Sequence, residues 1–120
     1  MSKTTSPTAR TLNLLRAEGF KVAMVERRLP HCFIAVDLFN AFDLLAVRAD
    51  LPGVLGVQCT SGSNHAARVR KLLANAVLPV WFAAGNGVQV ISWRQLKGKW
   101  LPRREVLTGA EPAAGAGQAC

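Results

Sequence analysis

The sequence lacks the features that mark secreted, zinc-binding or membrane-spanning proteins. Its three cysteines are scattered and form no CxxC pair, which argues against a disulfide framework and against a structural zinc site. The longest apolar stretch, residues 72–84, is interrupted by Asn75 and Pro79 and is shorter than the roughly 20 residues of a spanning helix. The N-terminal residues lack the apolar core of a signal peptide. These absences predict a cytoplasmic protein that does not cross a membrane.

Acidic residues are also scarce. Seven Asp and Glu residues stand against fifteen Lys and Arg residues, and the formal net charge is +8. On so small a protein this imbalance favours a polyanionic partner, either nucleic acid or an anionic membrane surface. A general contribution of the charge to solubility is the alternative. Because the basic residues cluster along the chain, we expect the polyanionic partner.

The rest of the composition is that of a folded protein. Half of the 120 residues are hydrophobic, and this length allows one domain with a single core. Residues 1–7 are predicted to be a flexible lead-in, and residues 8–94 the folded domain. Residues 95–109 are predicted to be a basic C-terminal extension, and residues 110–120 a disordered, low-complexity tail.

Hydrophobic periodicity and turn residues predict one α/β domain, in which a mixed β-sheet is flanked by helices. The predicted elements are, in chain order, a helix at residues 8–19, strands at 21–26, 31–36, 42–48 and 53–60, a helix at 65–76, and strands at 79–84 and 88–93 that flank a hairpin-type Gly-Asn-Gly turn.

Two of these apolar runs, joined by an Ala-Asp-Leu-Pro turn, form a predicted β-hairpin. If Arg48 pairs with Gly53, Asp43 lies directly opposite Gln58, and opposed Cβ atoms on one face are about 4.5–5.5 Å apart. One carboxylate and one amide oxygen can then share a hard cation. The side-chain period of two also places Thr60 on the face of Gln58. In the alternative interpretation, Asp43 bonds nearby backbone and Gln58 is solvated.

The same alternation disfavours a cysteine hydrolase. Such an enzyme would depend on Cys59 with His31 or His65. Cys59 is the neighbour of Gln58 and so should face the opposite side of the sheet. We therefore expect its thiol in the core.

The helix that follows the hairpin has a basic face. Asn64, Arg68 and Lys71 recur at helical spacing, which suits either an ordinary solvated surface or contacts to phosphate. The opposite face carries a predicted apolar stripe, formed by Ala66, Val69, Leu73 and Ala76.

Together, the run DLFNAFDLLAV at residues 37–47, the segment VQCT after the turn, and Asn64 with Arg68 and Lys71 resemble the PD-(D/E)XK nuclease superfamily. Within it, the chain is most similar to small phage and prokaryotic proteins related to Holliday junction resolvases. The resemblance covers roughly residues 11–93. It implies a restriction-endonuclease-like core of αβββαβ order and a DNA endonuclease that depends on Mg²⁺ or Mn²⁺. It also implies DNA, including branched DNA, as the partner and a homodimer as the assembly.

On the superfamily pattern, Asp43 matches the first acidic residue, Gln58 the second position and Thr60 the position of the lysine. Threonine cannot supply the positive charge of lysine. Lys71 or Arg68 is therefore expected to reach in from the helix. The catalytic residues implied in this way are Asp43, Gln58, Thr60 and Lys71.

The resemblance also implies the metal ligands. Asp37 belongs to the matched run, and Glu18 resembles a glutamate that many of these nucleases carry on the first helix beside the site. With Asp43 and Gln58 they form the predicted Mg²⁺ or Mn²⁺ site, and Glu26 is a further candidate. Each of these additional acids alone also suits a structural or surface role.

A basic and aromatic segment follows the predicted domain. Residues 93–104 (WRQLKGKWLPRR) interleave basic side chains with Trp93 and Trp100, which suits phosphate contacts combined with base stacking. Trp93 is expected to end a strand in the core, and a solvated extension is the alternative for the rest. The residues predicted to contact nucleic acid are Arg27, Arg28, Asn64, Arg68, Lys97, Lys99, Arg103 and Arg104.

The sequence therefore predicts a metal-dependent DNA endonuclease. The first alternative is a non-catalytic nucleic-acid-binding module on the same fold, because the pattern's second acid and its lysine are replaced. The second is a peripheral binder of anionic surfaces, which the absence of a strongly amphipathic basic helix disfavours.

Overall fold

The structure, a computed structural model, describes residues 6–28 and 35–108; the side chains of residues 27, 28 and 35 are outside this description. No helix within these two ranges is long and apolar enough to cross a bilayer. The helices are α1 (Pro7–Ala17), α2 (His65–Leu73) and α3 (Val77–Ala83), and the strands are β1 (Lys21–Met24), β2 (Arg27–Arg28), β3 (Ala35–Val36), β4 (Leu44–Val47), β5 (Leu55–Ser61), β6 (Gly87–Leu96) and β7 (Lys99–Leu107).

Five strands form one mixed sheet in the order β1-β4-β5-β6-β7. Strands β5 and β6 run parallel, and the other neighbours in this sheet run antiparallel. Strands β2 and β3 form a separate antiparallel pair. The predicted α/β class with a mixed sheet is confirmed, and the restriction-endonuclease-like core stays a prediction.

Helices cover both faces of the sheet. On one face, Leu15 of α1 packs with Cys59 and Trp93, so the core positions predicted for these two residues are confirmed. On the other face, Leu72 of α2 and Leu78 of α3 pack against the valines of β6. This two-sided packing follows from the alternation of side chains along the strands.

Helix α1 matches its prediction closely. The Ser6 side chain accepts a hydrogen bond from the Ala9 backbone N–H over 3.1 Å, and Pro7 occupies the first helical position. Both residues are typical of helix starts. The helix ends at Ala17, two residues before the predicted stop at Gly19.

The strand predicted at residues 79–84 is wrong, because this segment lies within α3. The apolar, partly aromatic run suggested a strand, but Asn75 Oδ1 accepts from the Val77 backbone N–H over 2.9 Å at the helix start. Pro79 lies in the first turn, where backbone N–H groups have no partner inside the helix. The Gly-Asn-Gly segment is therefore the link from α3 to β6, with Gly85 at φ +90° just past the helix end.

The apolar stripe predicted for the second helix is also wrong. Leu72 is buried and Val69 packs beside it, whereas Leu73 is 59% exposed. Because α2 ends at Leu73 rather than at residue 76, its short packing face is set by the residues that meet the sheet. His65 opens this face and is fully buried.

The predicted C-terminal extension belongs to the sheet instead. Strand β6 continues to Leu96, and β7 pairs with it antiparallel along nine residues. Lys97 and Gly98 form the two-residue turn, both with positive φ, as tight hairpin turns require. The domain boundary predicted at residue 94 therefore falls inside a strand. The predicted tail at residues 110–120 lies outside the described residues.

Candidate metal and nucleic-acid site

The β4–β5 hairpin has the predicted register. Leu44 faces Val57 and Ala46 faces Leu55, as predicted. The pairing ends at Leu44, and Asp43 lies just before β4 rather than in a strand pair with Gln58. The backbone N–H of Asp43 donates to the Val57 carbonyl over 2.9 Å. The side chains of Asp43 and Gln58 line the same cleft.

Three carboxylates meet in this cleft. Glu26 follows β1, Asp37 follows β3, and Asp43 precedes β4. One carboxylate oxygen from each lies within 4.8 Å of those of the other two. Since β1 ends beside the start of β4, where Met24 pairs with Leu44, the three acids collect at one end of the sheet. We call this the acidic cleft, and its volume is about 340 Å³.

Asp43 is the most buried acid of the three, with 6% of its surface exposed. Its Oδ2 accepts a hydrogen bond from the Cys59 backbone N–H over 2.9 Å. Burial, followed by a hydrogen bond with the Asp37 carboxylate, raises the pKa of Asp43 from 3.8 to about 7. The carboxyl of Asp43 therefore holds its proton to a higher pH than an exposed aspartate does.

Gln58 is held by its amide nitrogen. Nε2 donates to the Ala41 carbonyl over 2.6 Å and is 3.5 Å from Asp37 Oδ2. The amide orientation follows from these acceptors, and it leaves Oε1 as the oxygen able to face an ion. A glutamate in this position would direct a carboxylate oxygen at the Ala41 carbonyl, which explains physically why an amide suits this position.

A strained turn presents the acids. Phe39 and Asn40 both have φ of +57°, a left-handed conformation that is unusual for residues with side chains. Asn75, between α2 and α3, donates from Nδ2 to the Phe39 carbonyl over 3.1 Å. Such strain persists where the surrounding structure holds it, often at functional sites. The turn places Asp37 before it and Asp43 after it.

Close packing beneath the turn fixes its position. Phe42 is fully buried, and a Cβ atom added to Gly56 would come within 2.7 Å of its ring. At the far end of the hairpin, a Cβ on Gly53 would meet the Gly85 carbonyl oxygen at 2.0 Å. These close approaches require glycine at both positions. Gly56 allows Phe42, the residue before Asp43, to pack against β5.

Cationic side chains form another wall of the acidic cleft. Arg68, half-buried, and Lys71, exposed, project into it from α2. Thr8 of α1 and Asn40 add uncharged polar groups. The structure thus brings the helix cations that were predicted to replace the missing lysine to the same cleft as the acids.

Three predicted site residues lie elsewhere. Glu18, a predicted metal ligand, lies outside the acidic cleft, and its carboxylate accepts from Arg104 Nη1. Glu26, the further candidate, joins Asp37 and Asp43 there instead. Thr60 is buried and does not line the acidic cleft. Asn64 is exposed and donates from Nδ2 to the Ser61 hydroxyl over 3.2 Å, so it lies outside the acidic cleft too.

The predicted nucleic-acid contacts are divided by the structure. Lys97 and Lys99 are exposed at the turn of the β6–β7 hairpin, and Arg103 is exposed on β7. Arg104 is engaged by Glu18 and by Gln89 Oε1, at 3.1 Å from Nε. Arg27 and Arg28 form β2, and their side chains lie outside the description.

The sequence interpretation missed one polar network. His65 Nδ1 is 2.6 Å from Ser92 Oγ, and His65 Nε2 is 2.9 Å from Glu105 Oε1. These residues are far apart along the chain, and none of the three carries a local motif. The antiparallel pairing of β6 with β7 and the docking of α2 bring them together.

The residues of the acidic cleft fit a hard divalent cation. Carboxylate and amide oxygens are the ligands that Mg²⁺ and Mn²⁺ prefer, and Glu26, Asp37, Asp43 and Gln58 supply them. The thiol of Cys59, whose pKa burial raises to about 12, is protonated and unsuited to ligation or attack.

Protein-family models, curated proteins and solved structures gave no match to this chain. The chemistry of the acidic cleft and of the surfaces around it is thus the basis for a function.

Proposed function

We propose that the chain is a Mg²⁺- or Mn²⁺-dependent DNA endonuclease of the PD-(D/E)XK type. The observation that carries this proposal is the composition of one cleft: Glu26, Asp37 and Asp43 meet there, and Arg68 and Lys71 project into it from α2. Acids that hold a cation and cationic side chains that hold a phosphate together suit metal-assisted phosphodiester hydrolysis. The overall charge of +8 suits a polyanionic substrate.

The acids have the role of holding the ion. Asp43, Asp37, Glu26 and Oε1 of Gln58 are its proposed ligands. When bound, the cation supplies charge that stabilises the phosphodiester transition state and assists deprotonation of the attacking water. The Cys59 N–H and the Ala41 carbonyl hold Asp43 and Gln58 in place, so that little reorganisation is needed when the ion binds.

The helix cations have the role of holding the phosphate. Hydrolysis forms a bond from the water oxygen to phosphorus, breaks one ester P–O bond and leaves negative charge on the departing oxygen. Arg68 and Lys71 are positioned to stabilise that charge. The half-buried Arg68 suits bidentate contact with a phosphate, and the exposed Lys71 suits a point contact.

A cleavage assay tests the proposal. Purified protein is incubated with branched and linear DNA in the presence of Mg²⁺, Mn²⁺ or EDTA. We expect cleavage with either cation, none with EDTA, and a loss of about a hundredfold or more in rate for Asp43→Asn. Lys71→Ala should reduce the rate and leave the metal requirement unchanged.

Asp50→Asn is the matched control. Asp50 is an exposed acid that pairs with Arg48 over 2.6 Å in the β4–β5 turn, at the opposite end of the hairpin from Asp43. This variant should cleave DNA at the rate of the unchanged protein. Cleavage that persists in EDTA, or that survives in Asp43→Asn, would contradict the proposed site.

A non-catalytic nucleic-acid-binding module is the second candidate. It is favoured by Thr60, which stands at the lysine position of the pattern and is buried away from the acidic cleft. On this proposal the cation would stabilise the fold or the complex with DNA. DNA binding without cleavage under every metal condition would select this candidate.

A further inference from the structure

A second cleft lies where the β6–β7 hairpin extends past the end of β5. Its volume is about 1000 Å³, and we call it the hairpin cleft. Among the described residues, none lines both this cleft and the acidic cleft. The side chains that matter for its chemistry are Ser61, Ser63, Arg94, Trp100, Leu101 and Arg103.

The charge of the hairpin cleft is positive. Arg94 and Arg103 lie in its wall and are exposed. Within residues 6–28 and 35–108, Arg94 forms no ion pair and no acid lines the cleft; the nearest acid to Arg103 is Glu105, at 4.0 Å. Two guanidinium groups in one cleft, of which only Arg103 has a long contact to an acid, favour an anion that carries more than one charge.

An aromatic ring accompanies these cations. Trp100 is 40% exposed, and the Arg10 guanidinium lies 4.0 Å from the centre of its ring. This cation–π contact helps to hold the indole in place, and Leu101 adds exposed apolar surface beside it. A cleft lined both by an indole ring and by guanidinium groups suits a ligand that joins flat bases to phosphates.

The two clefts are close enough to contact one strand. Strand β5 carries Gln58 in the acidic cleft and Ser61 in the hairpin cleft, three residues or about 10 Å apart. From Ser63, beside the start of α2, to Arg68 in the acidic cleft is five residues, or about 8 Å along a helix. These separations are comparable with the length of a few nucleotides of a DNA strand.

We infer that the hairpin cleft binds an unpaired segment of a DNA strand, with phosphates on Arg94 and Arg103 and a base stacked on Trp100. The bases of a duplex are stacked on one another, so a duplex does not offer a base face to the indole. The inference rests on the proposed function for the identity of its ligand, and it names an unpaired flank as part of the substrate.

Binding measured without cleavage tests the inference. The probe is a fluorescein-labelled oligothymidine of about twelve nucleotides, followed by anisotropy in EDTA. The expected result is tighter binding than to a blunt duplex of the same length. Trp100→Leu, which keeps apolar bulk and removes the indole, should weaken binding about five- to hundredfold. Arg94→Ala/Arg103→Ala should flatten the slope of log K against log salt by about 1.4.

A double variant of equal charge is the control. Arg16→Ala/Lys21→Ala removes two exposed cations from α1 and β1, neither of which lines the hairpin cleft. It should bind the oligonucleotide more tightly than the Arg94 and Arg103 variant does. Equal weakening by the two double variants, or a preference for the duplex, would overturn the inference, because net charge alone would then explain binding.

The same variants separate this inference from the proposed function. Asp43→Asn should lose cleavage and keep oligonucleotide binding. Binding that depends on Trp100 and Arg94 in a protein that never cleaves DNA would remove the proposed catalysis and support the hairpin cleft. Cleavage of DNA by a protein whose oligonucleotide binding does not depend on these two residues would support the proposed catalysis and overturn the inference about the hairpin cleft.

Discussion

At the scale of single residues, burial in the acidic cleft makes the ionised form of the Asp43 carboxyl unfavourable. Its folded-state pKa is about 7, raised first by burial and then by Asp37, against an ordinary value of 3.8. Between these two values the folded protein keeps a proton that the unfolded chain has released. The contribution of Asp43 to stability therefore falls as pH rises from about 4 to about 7, by at most about 1.4 kcal/mol for each pH unit.

Asp43→Asn is predicted to be more stable than the unchanged protein in EDTA at about pH 8, and similar to it at about pH 4. The amide does not titrate, and it can still accept from the Cys59 N–H and donate to Asp37. Urea unfolding followed by circular dichroism at several pH values gives the difference in free energy of unfolding.

Asp50, the exposed acid of the β4–β5 turn, again provides the control variant. Asp50→Asn should show no gain in stability at the higher pH, since Arg48 lowers the pKa of Asp50 rather than raising it. A free-energy difference between the unchanged protein and Asp43→Asn that stays constant over this pH range would show that the Asp43 carboxyl ionises normally.

Sequence periodicity was sufficient for the register of the β4–β5 hairpin, since a register follows from the turn and a period of two. Asp43 and Gln58 line the same cleft, but Asp43 lies outside the paired residues. It did not select Glu26 over Glu18. Both acids end a short element, and their distances from Asp43 depend on how β1 and α1 lie against the sheet. Glu18 meets a cation of β7, 86 residues away along the chain, and no local pattern indicates such a partner.

At the scale of secondary-structure elements, the His65 network fixes the position of α2. His65 is the first residue of the helix and is 1% exposed. One tautomer satisfies both of its contacts, with Nε2–H donating to Glu105 and Nδ1 accepting from the Ser92 hydroxyl. Because Arg68 and Lys71 lie one and two turns further along α2, this anchor also sets where these cations enter the acidic cleft.

His65→Ala is predicted to lower the free energy of unfolding by on the order of 3 kcal/mol, from the unpaired Ser92 hydroxyl and the cavity left behind. Chemical denaturation measures this loss. Ser63→Ala, an exposed change two residues earlier, should cost less than about 0.5 kcal/mol. A similar small cost for His65→Ala would mean that the network does not anchor the helix.

Element types were predictable where a cap or a turn accompanied the apolar pattern, as at Ser6 and Pro7 before α1. They were not predictable for α3, a seven-residue helix whose apolar run also suits a strand. Its start depends on Asn75, which caps α3 and also holds the turn at Phe39. This double role exists only once the elements are packed.

At the scale of the whole molecule, charge is segregated. Only seven acids are present in the sequence, yet three of them share one cleft, while cations line the hairpin cleft and its turn. The three carboxylates repel one another, and a bound cation would offset this repulsion together with Arg68 and Lys71 in the same cleft. Folding and cation binding are therefore expected to be coupled through the acidic cleft.

Millimolar Mg²⁺ or Mn²⁺ is predicted to raise the Tm of the protein. A ligand that binds only the folded state, present at a hundredfold excess over its Kd, stabilises the protein by about 2.7 kcal/mol. In a domain of this size each kcal/mol raises the Tm by about 4 °C or more. Differential scanning fluorimetry measures the shift. The rise in Tm should be much smaller when NaCl of equal ionic strength replaces the divalent salt, and also when Asp43→Asn replaces the unchanged protein. An equal rise in Tm in either control would point to general screening of charge.

The sequence by itself determined the α/β class, the hairpin register and the basic, aromatic character of the last strands, because each depends on local periodicity, turn chemistry or composition. Tertiary structure alone decided which acids meet, which arginines remain unpaired and which face of α2 is buried. These properties depend on contacts between residues far apart in the chain. Their energies come from burial and charge in the packed molecule, and no local pattern records them.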